Sequence, residues 1–377
     1  MIDRVRDDLS VTDNTNVVSV DEIISPKELI ERYPVSEKLA KFILENRQIT
    51  SNILRGIDDK LIVIAGPCSV HDTKAAIEYA HFIKEMKKEN PDLHIIMRTY
   101  FEKPRTTVGW KGMINDPHLD NSFDVEEGLR RARELLLTIN ELGVPVSLEI
   151  LDPISPQYLG DLVTWSAIGA RTTESQIHRE IASATGSPVG FKNGTSGDTK
   201  VAENALQFGS NPQKFLGVSK EGKNALISST GNKDLHIILR GGDDGTNYKK
   251  ADVDAVIKRL EKKGVDTGVI IDFSHANTMN ENGVKEYGNQ SKLVCPEVAS
   301  QIAEGNIKIA GVMIESHLYE GNQPFTPGET SVEDLEYGKS ITDPCENTET
   351  SSQMFDKLSQ SVVMRRAKIQ KDEQLVE

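Results

Sequence analysis

Eight short apolar runs, separated by stretches of helical period, constrain this chain more than any other feature. The runs are residues 61–65, 94–98, 145–150, 162–169, 189–192, 236–240, 268–273 and 309–314. Among the intervening stretches, apolar residues recur every three or four positions at 74–89, 125–142, 175–184, 252–263 and 291–304, with a last stretch at 350–366. Strands alternating with helices pair in parallel through right-handed crossovers, and eight of them close a (β/α)8 TIM barrel. A doubly wound open sheet is the competing α/β architecture. Asp72 and Asp252 stand where helix N-caps belong, and Gly143, Gly264 and Gly305 where helices should stop.

Residues 1–58 precede this rhythm. They comprise a polar arm to residue 25 with an apolar patch at Val17, Val18 and Val20, then two helical patterns at 26–32 and 37–54. The expected division is therefore an N-terminal arm with helices over 1–58 and a barrel over 59–377. Two insertions interrupt the barrel. Residues 100–124 make a long loop after the second strand, and loops of that length usually carry function. Within 214–235, β-like runs at 215–219 and 225–230 joined through Gly222 predict an added β-hairpin.

Charge narrows the partners. With 44 Lys and Arg against 58 Asp and Glu, the net charge of -14 repels nucleic acid and anionic membrane surfaces. An anionic substrate must then be met by a local basic cluster. Cys68, Cys295 and Cys345 are too few and too scattered for a disulfide framework. Residues 1–16 lack the apolar core of a secretory signal, and no apolar run reaches membrane length. A soluble, cytoplasmic protein is expected.

The strand ends supply that cluster. In order they carry Cys68, Arg98, Glu149, Arg171, Lys192, Arg240, His275 and Glu315. Several continue a row of alternate residues: Ile64 to Cys68, Ile238 to Arg240, Ile271 and Phe273 to His275, Met313 to Glu315. Such rows predict that the ionisable side chains emerge at the C-terminal mouth, where barrel enzymes keep their active sites. One polar strand end means only that a loop begins there, and a lone Cys or His is commonly core; the weight lies in the series. Arg98, Arg171, Lys192 and Arg240 suit the grip of phosphate or carboxylate. Cys68, His275 and Glu315 mix soft, borderline and hard ligands, with Asp343 available as a fourth, a set that suits Mn, Fe, Co or Zn. No two glycines are two apart, so the dinucleotide-binding G-x-G-x-x-G is absent. Gly338-Lys339-Ser340 ends like a Walker A loop, but Glu333 stands at its first glycine.

These segments resemble the type I 3-deoxy-D-arabino-heptulosonate-7-phosphate (DAHP) synthases of the shikimate pathway. The likeness rests on Gly66-Pro-Cys-Ser-Val-His-Asp72, Met97-Arg-Thr-Tyr-Phe-Glu-Lys-Pro-Arg-Thr-Thr-Val-Gly-Trp-Lys-Gly112, Ile168-Gly-Ala-Arg-Thr-Thr-Glu-Ser-Gln176, Pro188-Val-Gly-Phe-Lys-Asn-Gly194, Asp272-Phe-Ser-His-Ala-Asn277 and Gly338-Lys-Ser-Ile-Thr-Asp343. It implies condensation of phosphoenolpyruvate with erythrose 4-phosphate on a TIM barrel, with release of phosphate. It further implies one divalent metal ion per subunit on Cys68, His275, Glu315 and Asp343, and phosphoenolpyruvate on Arg98, Arg171, Lys192 and Arg240. Lys103 would stand at the reacting centre, and Arg105 with Thr106 would take the sugar phosphate. Glu149 is expected to handle a proton near the attacking water.

The resemblance also implies feedback inhibition by an aromatic amino acid and a homodimer or homotetramer. Asp152, Pro156, Gln157, Phe215 and Gly217 match the effector region. Gly217 resembles the tyrosine-sensitive branch, since a glycine leaves room for the phenol hydroxyl. Two other readings stay open: a related synthase acting on arabinose 5-phosphate, and a catalytically dead sensor of an aromatic amino acid or sugar phosphate. Lys103-Pro104-Arg105-Thr106-Thr107 favours the four-carbon sugar over the first, and the intact ligand and cation positions argue against the second.

Overall fold

In the computed structural model, which describes residues 14–105 and 107–375, the eight parallel strands close into a barrel. They are β1 (Leu61–Gly66), β2 (Leu93–Arg98), β3 (Val146–Glu149), β4 (Trp165–Ile168) and β5 (Val189–Lys192), then β8 (Leu235–Leu239), β9 (Val269–Asp272) and β10 (Ile309–Glu315). β6 (Lys214–Val218) and β7 (Asn224–Ser228) pair antiparallel as a separate hairpin. All barrel strands are buried on both faces, apart from half-buried Glu149, which is why the sequence shows continuous apolar runs rather than alternation.

The two faces nevertheless pack differently. Ile62, Ile64, Ile96, Trp165, Ala167, Ile238, Ile270, Ala310 and Met313 fill the interior, over a floor of Ile53 and Leu54 from helix α2 (Glu37–Leu54). Val63, Ala65, Ile95, Met97, Ile237, Leu239, Ile271, Phe273, Val312 and Ile314 face the helices. Ala310 and Met313 share the interior although three residues apart, because the β10–β9 register shifts between Ile309 and Gly311. Gly311 is required there, since a Cβ would stand 2.8 Å from Ile62.

Two sequence expectations need correction. Ile271 and Phe273 point to the helical layer, so the interior row of β9 is Ile270 and Asp272. His275 reaches the mouth through a 3-10 turn that begins with its own positive φ of 58°. Asp252 is not an N-cap. Helix α8 (Lys250–Lys262) starts two residues earlier, leaving Asp252 in the first turn, where its charge still meets the positive helix end. Asp72 does cap helix α3 (Thr73–Glu89), accepting from the backbone N–H of Lys74 and Ala75. Gly143, Gly264 and Gly305 all follow helix ends with positive φ.

Before the barrel lie α1 (Pro26–Arg32) and α2, as the periodicity predicts. Residues 1–13 of the expected arm, and its far C-terminal counterpart 376–377, lie outside the described residues. Residue 24 is tied to the barrel: its N–H donates to Glu126 (2.9 Å) and its carbonyl accepts from the Tyr158 hydroxyl (2.7 Å). Among the described residues, no helix is long and apolar enough to cross a membrane.

Candidate active site

The C-terminal mouth of the barrel holds a cavity of ≈ 340 Å³. Arg98, Lys103, Arg105, Arg171, Lys192, Arg240 and Lys285 all line it, with Glu102, Glu149 and Asp343 among them. Parity explains the strand-borne cations, because Arg98, Lys192 and Arg240 continue the interior rows of β2, β5 and β8. Arg98 is 2% exposed and fastened on several sides. Its Nε donates to Pro67 O and its Nη2 to Cys68 O and Glu315 Oε1, each at 3.1 Å, while the guanidinium lies 3.7 Å from the Tyr100 ring centroid. Lys192 Nζ meets Asp272 Oδ2 at 3.0 Å. Lys103 and Arg105 come from the long loop after β2. Thr106 lies outside the described residues.

Cys68, Glu315 and Asp343 bring ligand atoms within 4.8 Å of one another beside this cavity. His275 stands next to them, with Nε2 3.8 Å from Glu315 Oε1 and Nδ1 2.9 Å from Asp272 Oδ2. Lys103 places its ammonium 2.8 Å from Cys68 Sγ and 2.7 Å from Asp343 Oδ2, so a cation already bridges two of the donors. Burial pushes the Cys68 thiol up to about 11, Glu315 adds to the rise, and Lys103 opposes it. Burial also works against the Asp343 carboxylate, but Lys103 overcomes this and holds Asp343 well below the usual carboxylate range. A thiol, an imidazole and two carboxylates meet beside the cavity, Cys68 and Glu315 buried and Asp343 exposed, and with Cys68 deprotonated this donor set fits a borderline divalent metal ion.

Three residues here went unread in the sequence. Lys285 reaches the mouth because the chain turns back at Asn280–Gly283 and bridges Met279 to Lys285; only that turn, written as Asn280, Asn282 and Gly283, could have signalled it. Asp272 is fully buried between Lys192 and His275. Glu102 is 5% exposed, accepting from Ser155 Oγ (2.9 Å) and Asp152 N–H (3.2 Å). Burial first, and the charge of Asp152 second, push its carboxyl up to about 8.

A second, more apolar cavity of ≈ 600 Å³ lies between the hairpin, helix α5 (Ser155–Leu159) and helix α6 (Gln176–Ala184). Pro156, Gln157, Phe215 and Gly217 line it. Asp152 does not. Its carboxylate turns back to accept from the N–H groups of Ile154 and Ser155 at the start of α5.

A (β/α)8 barrel with clustered cations and a metal-competent donor set at its C-terminal mouth defines an enzyme of small phosphorylated substrates. Residues 33–356 match the DAHP synthetase I family. The phospho-2-dehydro-3-deoxyheptonate aldolase of Haemophilus influenzae is 50% identical over 94% of this chain and 95% of its own length. The Phe-sensitive enzyme of that name from Escherichia coli K12 is 49% identical over 94% and 98%. A solved structure of the Francisella tularensis SCHU S4 enzyme superposes with a TM-score of 0.88 at 43% identity, covering 93% of this chain and 99% of that one. The chain belongs to the DAHP synthetase I family, and it is an enzyme that condenses phosphoenolpyruvate with D-erythrose 4-phosphate to DAHP and phosphate.

Proposed function

We propose that Arg98, Arg171, Lys192 and Arg240 hold phosphoenolpyruvate, while Lys103, Arg105 and Thr106 receive erythrose 4-phosphate. The observation that carries this reading is the set of seven cations around one ≈ 340 Å³ cavity in a chain of net charge -14. Both substrates are anions that repel in water; fixed cations place them side by side and convert an encounter into an oriented contact. Carbon 3 of the enol then bonds to the aldehyde carbon, and positive character develops at carbon 2. Lys103 gives a proton to the oxygen of the former aldehyde. Glu149 takes a proton from the water that adds at carbon 2, and the resulting hemiketal phosphate loses phosphate. Cys68, His275, Glu315 and Asp343 hold one divalent metal ion, with Mn, Fe, Co and Zn as the candidates, which when bound supplies Lewis acidity at the aldehyde oxygen.

The apolar cavity is the effector site in this reading, and aromatic feedback is directed at it. Tyrosine is the favoured ligand because Gly217 leaves the wall open, whereas a Cβ there would stand 2.8 Å from Ile227. Phenylalanine is the second reading, favoured by the name of the Escherichia coli relative. The chain divides as an arm with helices to residue 58 and a catalytic barrel thereafter. It self-associates through the arm and hairpin as a homodimer or homotetramer, which the exposed Val18, Val20, Leu216 and Leu226 support. Phosphate release from the two substrates tests the whole. EDTA is expected to abolish it and Mn²⁺ to restore it; a rate indifferent to chelation, or an equal rate with arabinose 5-phosphate, would refute the assignment.

A further inference from the structure

The ladder between β5 and β8 ends at Lys192 and Ile238, and that between β8 and β9 at Leu239 and Ile271. The backbone around Arg240 and His275 therefore stands beyond regular pairing, joined across by Ala276 N–H donating to Arg240 O (3.2 Å). Three asparagine side chains take over there. Asn193, fully buried, accepts on Oδ1 from Arg240 N–H (2.9 Å) and Asn247 Nδ2 (3.1 Å). Its Nδ2 donates to the carbonyls of Gly194 and Gly241, both at 2.9 Å, so its hydrogen-bonding capacity is fully used. Asn247 Oδ1 accepts from Gly241 N–H (2.7 Å), and Asn247 N–H donates to Asn277 Oδ1 (2.9 Å). Asn277, 1% exposed, donates to the carbonyls of Leu239 (3.1 Å) and Asp272 (2.7 Å). Gly241 makes the fit possible: at φ +66° it lies so close to the His275 turn that a Cβ would stand 2.8 Å from the carbonyl carbon of Ala276.

We propose that Asn193, Asn247 and Asn277 are positioning residues, a side-chain splint that sets the spacing of Lys192, Arg240 and the His275 turn before substrate arrives. Amides suit this task because they give and accept hydrogen bonds while carrying no charge, so they brace the cations without neutralising them. A hydrogen-bonded network anchored on two buried members, Asn193 and Asn277, favours one geometry. Asp272 joins the same frame, since its carbonyl receives Asn277 while its carboxylate spans Lys192 and His275. The inference rests on the reading that Arg240 and Lys192 grip phosphoenolpyruvate.

Half-buried Asn247 is the member to truncate. In metal-loaded full-length enzyme, Asn247→Ala is expected to raise KM for phosphoenolpyruvate about tenfold, the scale of one lost buried hydrogen-bond partner. KM for erythrose 4-phosphate should stay within about twofold, as is usual for a site without a shared partner. Arg240→Lys is measured beside it, and the double variant should raise KM by less than the product of the single effects, because Asn247 acts through Arg240. Asn247→Ser, a milder truncation, substitutes if Asn247→Ala proves insoluble. An unchanged KM in the Asn247 variant, or effects that multiply, with Arg240→Lys impaired, overturns the splint alone. If Arg240→Lys also leaves KM unchanged, the phosphoenolpyruvate grip itself is wrong. A lowered Tm with both KM values unchanged would reduce the three residues to ordinary loop stabilisers and likewise overturn the proposal.

Discussion

Glu102 holds its proton far above the ordinary carboxyl value of 4.5, to about 8, because burial removes water from its charged form. Between those values the folded state binds more protons than the unfolded one, so its contribution to stability falls as pH rises through that window. Glu102→Gln removes the titration. Its Tm is expected to fall less than that of the native chain between pH 5 and pH 8, followed by circular dichroism; parallel curves would contradict the role of burial. Cys68 titrates in the same sense, its proton held to about 11 by burial, so a metal ion on the proposed ligands would have to displace it. Metal loading should release protons and weaken as pH falls, which calorimetry in two buffers of different ionisation enthalpy would detect. Glu149→Gln should lower kcat by roughly 100-fold or more if Glu149 takes the proton from water. Near-normal turnover would reduce it to a wall of the cavity. Cys68, Arg98, Lys192, Arg240 and Glu315 were legible from their positions at strand ends. Asp272 was hidden because the parity of β9 was assigned one residue out of phase.

The long loop is the element that brings Lys103 and Arg105, the residues proposed for erythrose 4-phosphate, to the cavity. Lys103 N–H donates to Lys111 O at 2.8 Å, and Gly112 allows the loop to cross Phe101 closely: φ is +110°, and a Cβ would stand 2.1 Å from the Phe101 carbonyl oxygen. Gly112→Ala must therefore displace the strand of loop that carries Lys103 and Arg105. A shift of about 1 Å costs on the order of 100-fold in turnover, so kcat/KM is expected to fall that far while metal binding persists. At the other end of scale, Asp72→Ala removes only the cap of α3 and should cost about 1 kcal/mol in denaturant unfolding, with kinetics unchanged. The elements themselves were readable: α1 and α2 over their full spans, and all eight barrel strands to within a few residues. The hairpin ran one to two residues earlier than its apolar runs suggested, since Lys214 and Asn224 pair in the ladder despite being polar. Short antiparallel strands in solvent carry little burial signal, so their ends are set by pairing partners rather than by hydropathy.

At the scale of the whole molecule, the cavity lined by cations and the more apolar cavity beside the hairpin draw on neighbouring segments. Glu102 touches both neighbourhoods, lining the first and accepting from Asp152 and Ser155 at the start of α5, which lines the second. Initial rates measured separately with tyrosine, phenylalanine and tryptophan identify the effector; a chain inhibited by phenylalanine but not tyrosine would reverse the steric reading of Gly217. By itself the sequence determined a parallel α/β fold, because eight buried runs at helical separations allow few solutions; the closed ladder decided for the barrel over the open sheet. It also placed Arg98, Lys192 and Arg240 at the mouth, because on those strands alternate residues share one face. Only the tertiary structure decided what the loops bring to that mouth: the turn that aims His275, the reversal that delivers Lys285, the bridge of Lys103 between Cys68 and Asp343, and the asparagine splint behind Arg240. The two turns are local, but the bridge and the splint arise from contacts between segments tens to hundreds of residues apart, which no local period in the sequence records. The ring of cations was thus written in the chain, while the geometry that lets it work as one site belongs to the fold.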